Sequence, residues 1–279
     1  MNKFLAILFF MIISVPLAQA AEESKNLQKM KYDVYAGGIH ALQAHLKTDM
    51  SAPDRYDVAL TAKTYGMLGK LAPWEGIFTT KGWKGEKINH PELHQAITTW
   101  KDEKETKSYR YKKDGSFVSY SVQEGSKKEE EKKPEEALTK ETSDLLTATL
   151  NTMQLISAEN KCEGETDIFD GKRRFKLVFK EQKKVELQSS RYNVYTGPAI
   201  ECTVEVQPVA GKWREKPRGW MSIQEQGRER GTMPTVWFAK VQEGQVAVPV
   251  KVRVKTDYGT LFMHLTDYQS AGKKMTLKD

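Results

Sequence analysis

The densest group of potential metal ligands in the chain is the segment His90 to His94, where two histidines flank Pro91, Glu92 and Leu93. Histidines four residues apart on a helix can bind one metal ion. The zinc-protease pattern requires Glu directly after the first His, and Pro91 occupies that position. Because proline favours the first position of a helix, we expect His90 at a helix cap, outside the regular turns. The segment therefore predicts no tightly held metal, and no other motif indicates a cofactor.

The chain also lacks the sequence motifs that are typical of hydrolases and of nucleotide-binding proteins. The chain has no serine nucleophile elbow, phosphate-binding glycine loop or dinucleotide fingerprint. Asp114 and Asp170 could form a carboxylate pair, but each precedes a glycine, which is typical of a tight turn. We therefore expect a protein that is not an enzyme. A cell-wall or lipid hydrolase with unidentified catalytic residues stays open as an alternative.

One segment mixes cationic groups with indole rings, a composition suited to a lipid interface or an anionic ligand. Its members are Lys212, Trp213, Arg214, Lys216, Arg218 and Trp220. The alternative is a surface loop whose tryptophans pack down on a sheet, and we favour this alternative.

Two cysteines, Cys162 and Cys202, follow the N-terminal region. An oxidising compartment makes a disulfide the default for such a pair, and adjacent strands could bring the two residues together. A bridge across this separation should stabilise the chain by on the order of 4 kcal/mol. The alternatives are two buried thiols or a catalytic cysteine, and neither residue has the neighbouring histidine that activates a thiolate.

Alternation with period two predicts the elements that position these residues. Apolar side chains at Tyr56 to Ala62, Ile200 to Val206 and Val248 to Val254 alternate with polar ones, so each strand should have one dry face. We expect these faces to line a common interior. The residues predicted there to hold an apolar ligand are Val58, Leu60, Phe175, Leu177, Val204 and Val252.

Turn chemistry joins the strands into hairpins at Gly37-Gly38, Asp114-Gly115 and Asp170-Gly171. Further strands are expected at Val185 to Leu187, Trp220 to Gln224, Val236 to Ala239 and Tyr258 to Leu265. The stretch from Gly66 to Lys101 lacks alternation, which predicts an irregular segment. A lid or one rim of a cavity is one interpretation, and we favour the alternative that Trp74, Trp83 and Trp100 pack in the core.

An amphipathic pattern from Thr142 to Ile156 predicts one helix packed on the sheet, capped by Thr142 or Ser143. Its apolar stripe should contain Leu145, Leu146, Thr149, Leu150 and Met153. The mixed-charge run before it, near residues 125–137, predicts a mobile surface loop.

The first twenty residues have the layout of a secretory signal peptide: Lys3, an apolar run from Phe4 to Val15, and a small-x-small end at Ala18 to Ala20. Cleavage after Ala20 leaves residues 21–279 as a single β-rich domain without a transmembrane segment. Removal of Lys3 leaves 43 basic and 37 acidic residues. This scattered excess favours loose attraction to anionic lipid or cell-wall polymer and disfavours nucleic acid.

Several segments together resemble a family of proteobacterial periplasmic proteins known as domain of unknown function 3108. The resemblance lies in Tyr32 to Gly38, Asp170 to Phe175, Tyr195 to Ala199 and the late valine-rich strand. It would span most of the chain, from about Lys31 to Leu265. The resemblance implies an exported β-rich domain, and it brings no established activity or catalytic residues.

These patterns predict a mainly β fold, a strongly curved antiparallel sheet or incomplete barrel with one packed helix. We expect a non-enzymatic protein of the Gram-negative periplasm, binding an amphiphilic ligand or an envelope protein in a concave apolar face. A purely structural or assembly factor is the remaining alternative.

Overall fold

The computed structural model describes residues 25–216, 219–256 and 259–277. The predicted signal peptide, residues 1–20, lies outside these ranges, as do Arg218 and Tyr258. Within them, none of the helices combines the length and the apolar character that a membrane crossing requires.

Antiparallel strands dominate the described part of the chain. The first half forms β1 (Leu27–Ala36), β2 (Ile39–Asp49), β3 (Arg55–Thr64), β4 (Trp74–Trp83), β5 (His90–Trp100), β6 (Glu103–Tyr111), β7 (Phe117–Glu124) and β8 (Glu130–Lys132). The second half forms β9 (Glu163–Phe169), β10 (Arg173–Leu187), β11 (Gly197–Gly211), β12 (Thr235–Ala239), β13 (Val248–Thr256), β14 (Gly259–Ser270) and β15 (Lys273–Thr276). The helices are α1 (Gly66–Leu71), α2 (Glu136–Thr139), α3 (Leu145–Glu159) and α4 (Trp220–Glu229).

All these strands belong to one sheet made of two meanders. β1 to β8 follow one another outwards in one direction, and β14 back to β9 follow one another in the other direction. The meanders meet where β1 pairs antiparallel with β14, with Tyr32 opposite Leu265. β8 and β9 therefore form the two ends of the sheet, and the sheet does not close into a barrel. The predicted fold class is confirmed.

The main apolar cluster in the interior of the curved sheet receives side chains from both halves of the chain. It contains Met30 and Tyr56 from the first meander and Ile200 and Val248 from the second. Buried side chains of α3 pack in the same cluster. The apolar side chains that alternate along these strands therefore share one face of the sheet, and α3 packs against that face.

The three predicted hairpins are confirmed, and their aspartates have structural roles. Asp114 Oδ1 accepts hydrogen bonds from the Ser116 amide at 2.9 Å and from its hydroxyl at 2.6 Å. Asp170 Oδ1 accepts from the amides of Lys172 at 3.0 Å and Arg173 at 2.7 Å. Both carboxylates stabilise their own turns, as expected for Asp before Gly.

The predicted helix exists, but its start and its buried stripe differ from the prediction. α3 begins at Leu145, and its cap is Asp144, whose side chain accepts from the amides of Leu146 and Thr147. Leu145 was assigned to the buried stripe and is 48% exposed. The start lies later because Asp144 satisfies two amides of the first turn that a cap at Thr142 would not reach.

The prediction that Gly66 to Lys101 is irregular was wrong, because most of this stretch forms β4 and β5. Its glycines explain the missing pattern. A Cβ at Gly82 would lie 2.4 Å from the ring of Tyr56, so a large apolar residue has no room there. The ring of Tyr56, on the neighbouring strand β3, thus fills the space that an apolar side chain at position 82 would otherwise occupy.

The strand predicted at Trp220 to Gln224 was wrong, because this segment is the start of α4. Its buried residues, Gln224 and Gly227, lie three apart, which is a helical spacing. The Gln224 amide donates to the carbonyl oxygen of Val206 at 2.9 Å and accepts from the Val206 amide at 2.6 Å. The side chain of Gln224 thus replaces a strand partner at this point of β11.

The prediction of a surface loop near residues 125–137 was wrong in part. The run is exposed, as expected, but it contains the short strand β8 and the start of α2. Backbone pairing with β7, with Tyr120 opposite Lys132, orders the run without any apolar face of its own. The sheet also carries four described helices where one was predicted.

Candidate functional site

The two ends of the curved sheet approach each other without forming a strand ladder. Phe169, at the end of β9, packs edge-on against Tyr109 and Tyr120, with ring centroids 6.0 and 5.6 Å apart. Tyr109 and Tyr120 stack on each other at 4.8 Å. Just before α3, the Ser143 amide donates to Asp167 O in β9 at 2.8 Å. We call the junction of β6 to β8 with β9 and β10 the seam.

The turn between β9 and β10 fits closely against the tyrosines of the seam. Gly171 has a φ of 93°, and a Cβ there would lie 2.5 Å from the hydroxyl oxygen of Tyr120. Burial, reinforced by the nearby Glu105 carboxylate, raises the pKa of Tyr120 to about 12. Tyr120 therefore presents a neutral hydroxyl, and glycine is required opposite it.

A cleft of about 1050 Å³ opens along the seam. One wall comes from β6, β7 and the chain from β8 to α2, and the other comes from the β9–β10 turn and the end of β11. Its apolar lining residues are Tyr120, Val122, Pro134, Leu138, Pro208, Trp213 and Met221. This volume lies at the upper limit of those of small-molecule binding sites.

Trp213 is the central aromatic residue of this seam cleft. Its indole N–H donates to the carbonyl oxygen of Ala210 at 3.0 Å, and its ring packs edge-on against Phe175 at 6.4 Å. The guanidinium of Arg173 lies 4.6 Å from the centroid of the ring and also bonds to Asp170 Oδ2. These contacts hold the indole in one orientation, so the ring is available as a preformed wall.

Cations outnumber carboxylates in the lining of the seam cleft. The cations are Lys107, Lys132, Lys133, Lys172, Arg173, Lys212 and Arg214, and the carboxylates are Glu105, Glu124, Glu135 and Asp170. Three of the cations form ion pairs: Lys107 with Glu105, Lys132 with Glu130, and Arg173 with Asp170. The other four cations have no carboxylate within 4 Å among the described residues. The cleft is therefore electropositive beside an apolar wall.

The cationic and indole segment identified in the sequence contributes directly to this site. Lys212, Trp213 and Arg214 line the seam cleft, whereas Trp220 begins α4. The preferred expectation, that tryptophans pack on the sheet, holds for Trp213 through Phe175. The same side chain also lines the cleft, so Trp213 both packs on the sheet and can contact a ligand.

The six residues predicted to hold an apolar ligand share the main interior. Val58 and Leu177 are members of the buried cluster, and the other four, Leu60, Phe175, Val204 and Val252, pack against it. None of the six lines the seam cleft, although Phe175 supports Trp213 from behind. Helix α3 packs in the same interior. The ligand-binding role of these residues stays a prediction.

Cys162 and Cys202 are fully buried and lie with their Cα atoms 6.2 Å apart, a separation that suits a disulfide. Adjacent strands were expected to bring the two cysteines together, but the two residues do not lie on adjacent strands. Cys202 is opposite Glu181 of β10, and Cys162 directly precedes β9 on the other side of β10. The pair thus spans β10 at the irregularity between Glu181 and Lys183.

The segment from His90 to His94 is the start of strand β5, so the helical cap predicted for it was wrong. Along an extended strand, positions four residues apart are separated by about 13 Å, too far for both to bind one ion. No group of three or more metal-ligating residues occurs within the described ranges.

His94 belongs instead to a buried polar cluster that sequence patterns did not reveal. Its Nδ1 lies 2.8 Å from Thr80 Oγ1 and 3.3 Å from Asp144 Oδ1, and Thr80 donates to Asp144 at 2.8 Å. The Tyr56 hydroxyl is 2.6 Å from Thr147 Oγ1 in the same region. Thr80 and Asp144 are 1% and 2% exposed, so we interpret the cluster as structural. Only the tertiary fold joins these residues.

A second cleft, of about 760 Å³, lies at the C-terminal end of α3. Asn151 and Gln154, which line it, accept hydrogen bonds from Asn89. These amides attach α3 to the loop between β4 and β5. The seam cleft, with its aromatic wall and unpaired cations, is therefore the stronger candidate site.

Comparison with known proteins places these features in a family without an assigned activity. No curated protein matches the chain. Among solved structures, the chain is similar to a β-barrel-like protein of domain of unknown function DUF1849 from Brucella abortus, with 8% identity and a TM-score of 0.46. That match covers 89% of this chain and 99% of the other. The family described as protein of unknown function (DUF3108) matches residues 31–266, and the chain belongs to this family.

Proposed function

We propose that this protein is a non-enzymatic binding protein of the bacterial cell envelope, exported to the periplasm, which holds an anionic amphiphile in the seam cleft. The observation that carries the proposal is the combination of unpaired cations with the preformed Trp213 wall in a cleft of about 1050 Å³. An acyl chain would lie along the apolar wall and a charged head group would contact the cations. Export is supported by the signal-like first twenty residues.

The concave face predicted from the sequence is the competing location for the same ligand. The burial of α3 against that face favours the seam cleft, because the helix already covers apolar surface that a ligand would need. The hydrolase alternative has less support. The arrangement nearest to a catalytic one, Thr80 with His94 and Asp144, is buried.

Binding of a fluorescent fatty-acid probe to the purified mature protein tests this proposal. The probe should bind saturably, and Trp213→Ala should weaken binding by about tenfold, as expected when a buried aromatic contact is lost. Trp100→Ala is the matched control, since Trp100 is 49% exposed at the end of β5 and does not line the cleft.

A third variant separates the two locations. Leu60→Lys changes the interior face and should leave probe binding unchanged in protein whose circular dichroism shows a folded state. Weakening by Leu60→Lys without weakening by Trp213→Ala would move the site to the concave face. No binding of the probe would favour a structural or assembly role.

A further inference from the structure

The charge of the seam cleft indicates which head group it would accept. We propose that the preferred ligand carries a phosphate monoester, a head group with more than one negative charge. This inference rests on the proposed binding function and specifies its ligand. Its basis is the set of four unpaired cations, Lys133, Lys172, Lys212 and Arg214, facing one carboxylate without an ion pair, Glu135.

The backbone brings two of these cations together on one wall. Arg173 pairs with Gly211 across β10 and β11, so Lys172 and Lys212 occupy the next positions on neighbouring chain segments. Gly211 has a φ of 92°, and a Cβ there would lie 2.7 Å from the carbonyl oxygen of Lys172. The close approach therefore requires glycine and holds the chain at Gly211, next to Lys212, against the backbone of Lys172.

The remaining two cations extend the positive region around the cleft. Arg214 directly follows Trp213, next to the aromatic wall, and Lys133 comes from the opposite wall after β8. Arg173 has a different role, because Asp170 occupies its guanidinium and the Trp213 ring covers its face. Arg173 therefore positions Trp213, and the four unpaired cations remain for the ligand.

A phosphate monoester fits this arrangement better than a carboxylate does. It carries about −1.5 to −2 charges at pH 7 and offers three strong acceptor oxygens, whereas a carboxylate carries one charge and two oxygens. Three charged acceptor oxygens can satisfy more of the lining cations than the two oxygens of a carboxylate can. Val122 and Leu138 on one wall and Trp213 on the other supply apolar surface, which then selects an amphiphile over the free ion.

Calorimetric titration of the mature protein with matched ligands tests the inference. Dodecyl phosphate, dodecanoate, dodecyl maltoside and inorganic phosphate are each added below any critical micelle concentration at pH 7.5. Dodecyl phosphate should bind about tenfold more tightly than dodecanoate, since extra charge-assisted contacts separate the two. Dodecyl maltoside and inorganic phosphate should each bind more weakly than dodecyl phosphate.

Two double variants identify the cations responsible. Lys172→Gln with Lys212→Gln should abolish the preference for phosphate and retain dodecanoate binding. Lys29→Gln with Lys47→Gln is the matched control, because these exposed lysines also face each other on neighbouring strands and do not line the cleft. The control should keep the full preference.

The possible results distinguish this inference from the proposed function. Equal affinity for dodecyl phosphate and dodecanoate would overturn the phosphate inference and leave amphiphile binding intact. Inorganic phosphate binding as tightly as dodecyl phosphate would show a site for the free ion and overturn the amphiphile. If none of the amphiphiles binds, the proposed function fails and the inference fails with it.

Discussion

The buried cap of α3 offers the sharpest test of how this fold is stabilised. Asp144 accepts from the amides of Leu146 at 2.9 Å and Thr147 at 3.1 Å, and from the hydroxyls of Thr80 and Thr147. It therefore links the helix to β4 as well as capping the helix. Asp144→Ala removes all these acceptors from a site that is 2% exposed.

Two effects should add up in the Asp144→Ala variant. Loss of a helix cap costs about 0.5 to 2 kcal/mol. Loss of the hydrogen bonds from the buried Thr80 and Thr147 hydroxyls to a charged carboxylate costs about 1.5 to 3 kcal/mol more. We expect the free energy of unfolding to fall by about 3 kcal/mol, which lowers the melting temperature of a chain of this size by roughly 6 to 12 °C. Asp144→Asn keeps one acceptor oxygen and should lower stability less.

Thermal unfolding of the mature protein, followed by circular dichroism at pH 7.5, measures this effect. Asp114→Ala is the control, because Asp114 also accepts from the amide and hydroxyl of Ser116 but does so on an exposed turn. Water can replace these bonds, so the control should change the melting temperature much less. If Asp144→Ala lowers the melting temperature no more than Asp114→Ala does, the buried cluster is not a stabilising link.

Three further predictions address pH, the cysteines and export. Burial and the nearby Lys251 lower the pKa of His264 from 6.5 to about 4, so the unfolded chain binds this proton at higher pH than the folded chain. The free energy of unfolding measured with urea should therefore decrease as the pH falls from about 6.5 to about 4. His264→Gln should make that decrease less steep. An unchanged slope would exclude His264 as the source of the pH dependence. Thiol titration of unfolded, unreduced protein should find neither Cys162 nor Cys202 free, and reduction should lower stability by on the order of 4 kcal/mol; two titratable thiols would disprove the bridge. N-terminal sequencing of protein recovered from the periplasm should begin at Ala21, and full-length chain in the cytoplasm would contradict export.

Local patterns in the sequence predicted a large part of the fold. Alternation at Tyr56 to Ala62 and at Ile200 to Val206 requires a dry side, and Asp-Gly pairs have few conformations other than a tight turn. The β-sheet, its hairpins and α3 were therefore predictable. The same logic failed at β4, β5 and α4. In β4, glycines beside rings from other strands replace the usual apolar signal, and in α4 a buried Gln224 bonded to β11 replaces it.

The candidate site depended on tertiary structure to a much greater degree. Sequence alone identified the cations and indoles around Trp213, because composition is local, and it left open whether they form a site or only pack on the sheet. Their opposite wall comes from β6 to α2, more than seventy residues earlier in the chain. The same holds for the cluster of Thr80, His94 and Asp144. The amino-acid sequence by itself determined most of the strands, the turns and the chemical character of each segment. The seam cleft and the buried cluster were decided only by folding, because curvature of the sheet brings together side chains that share no local pattern.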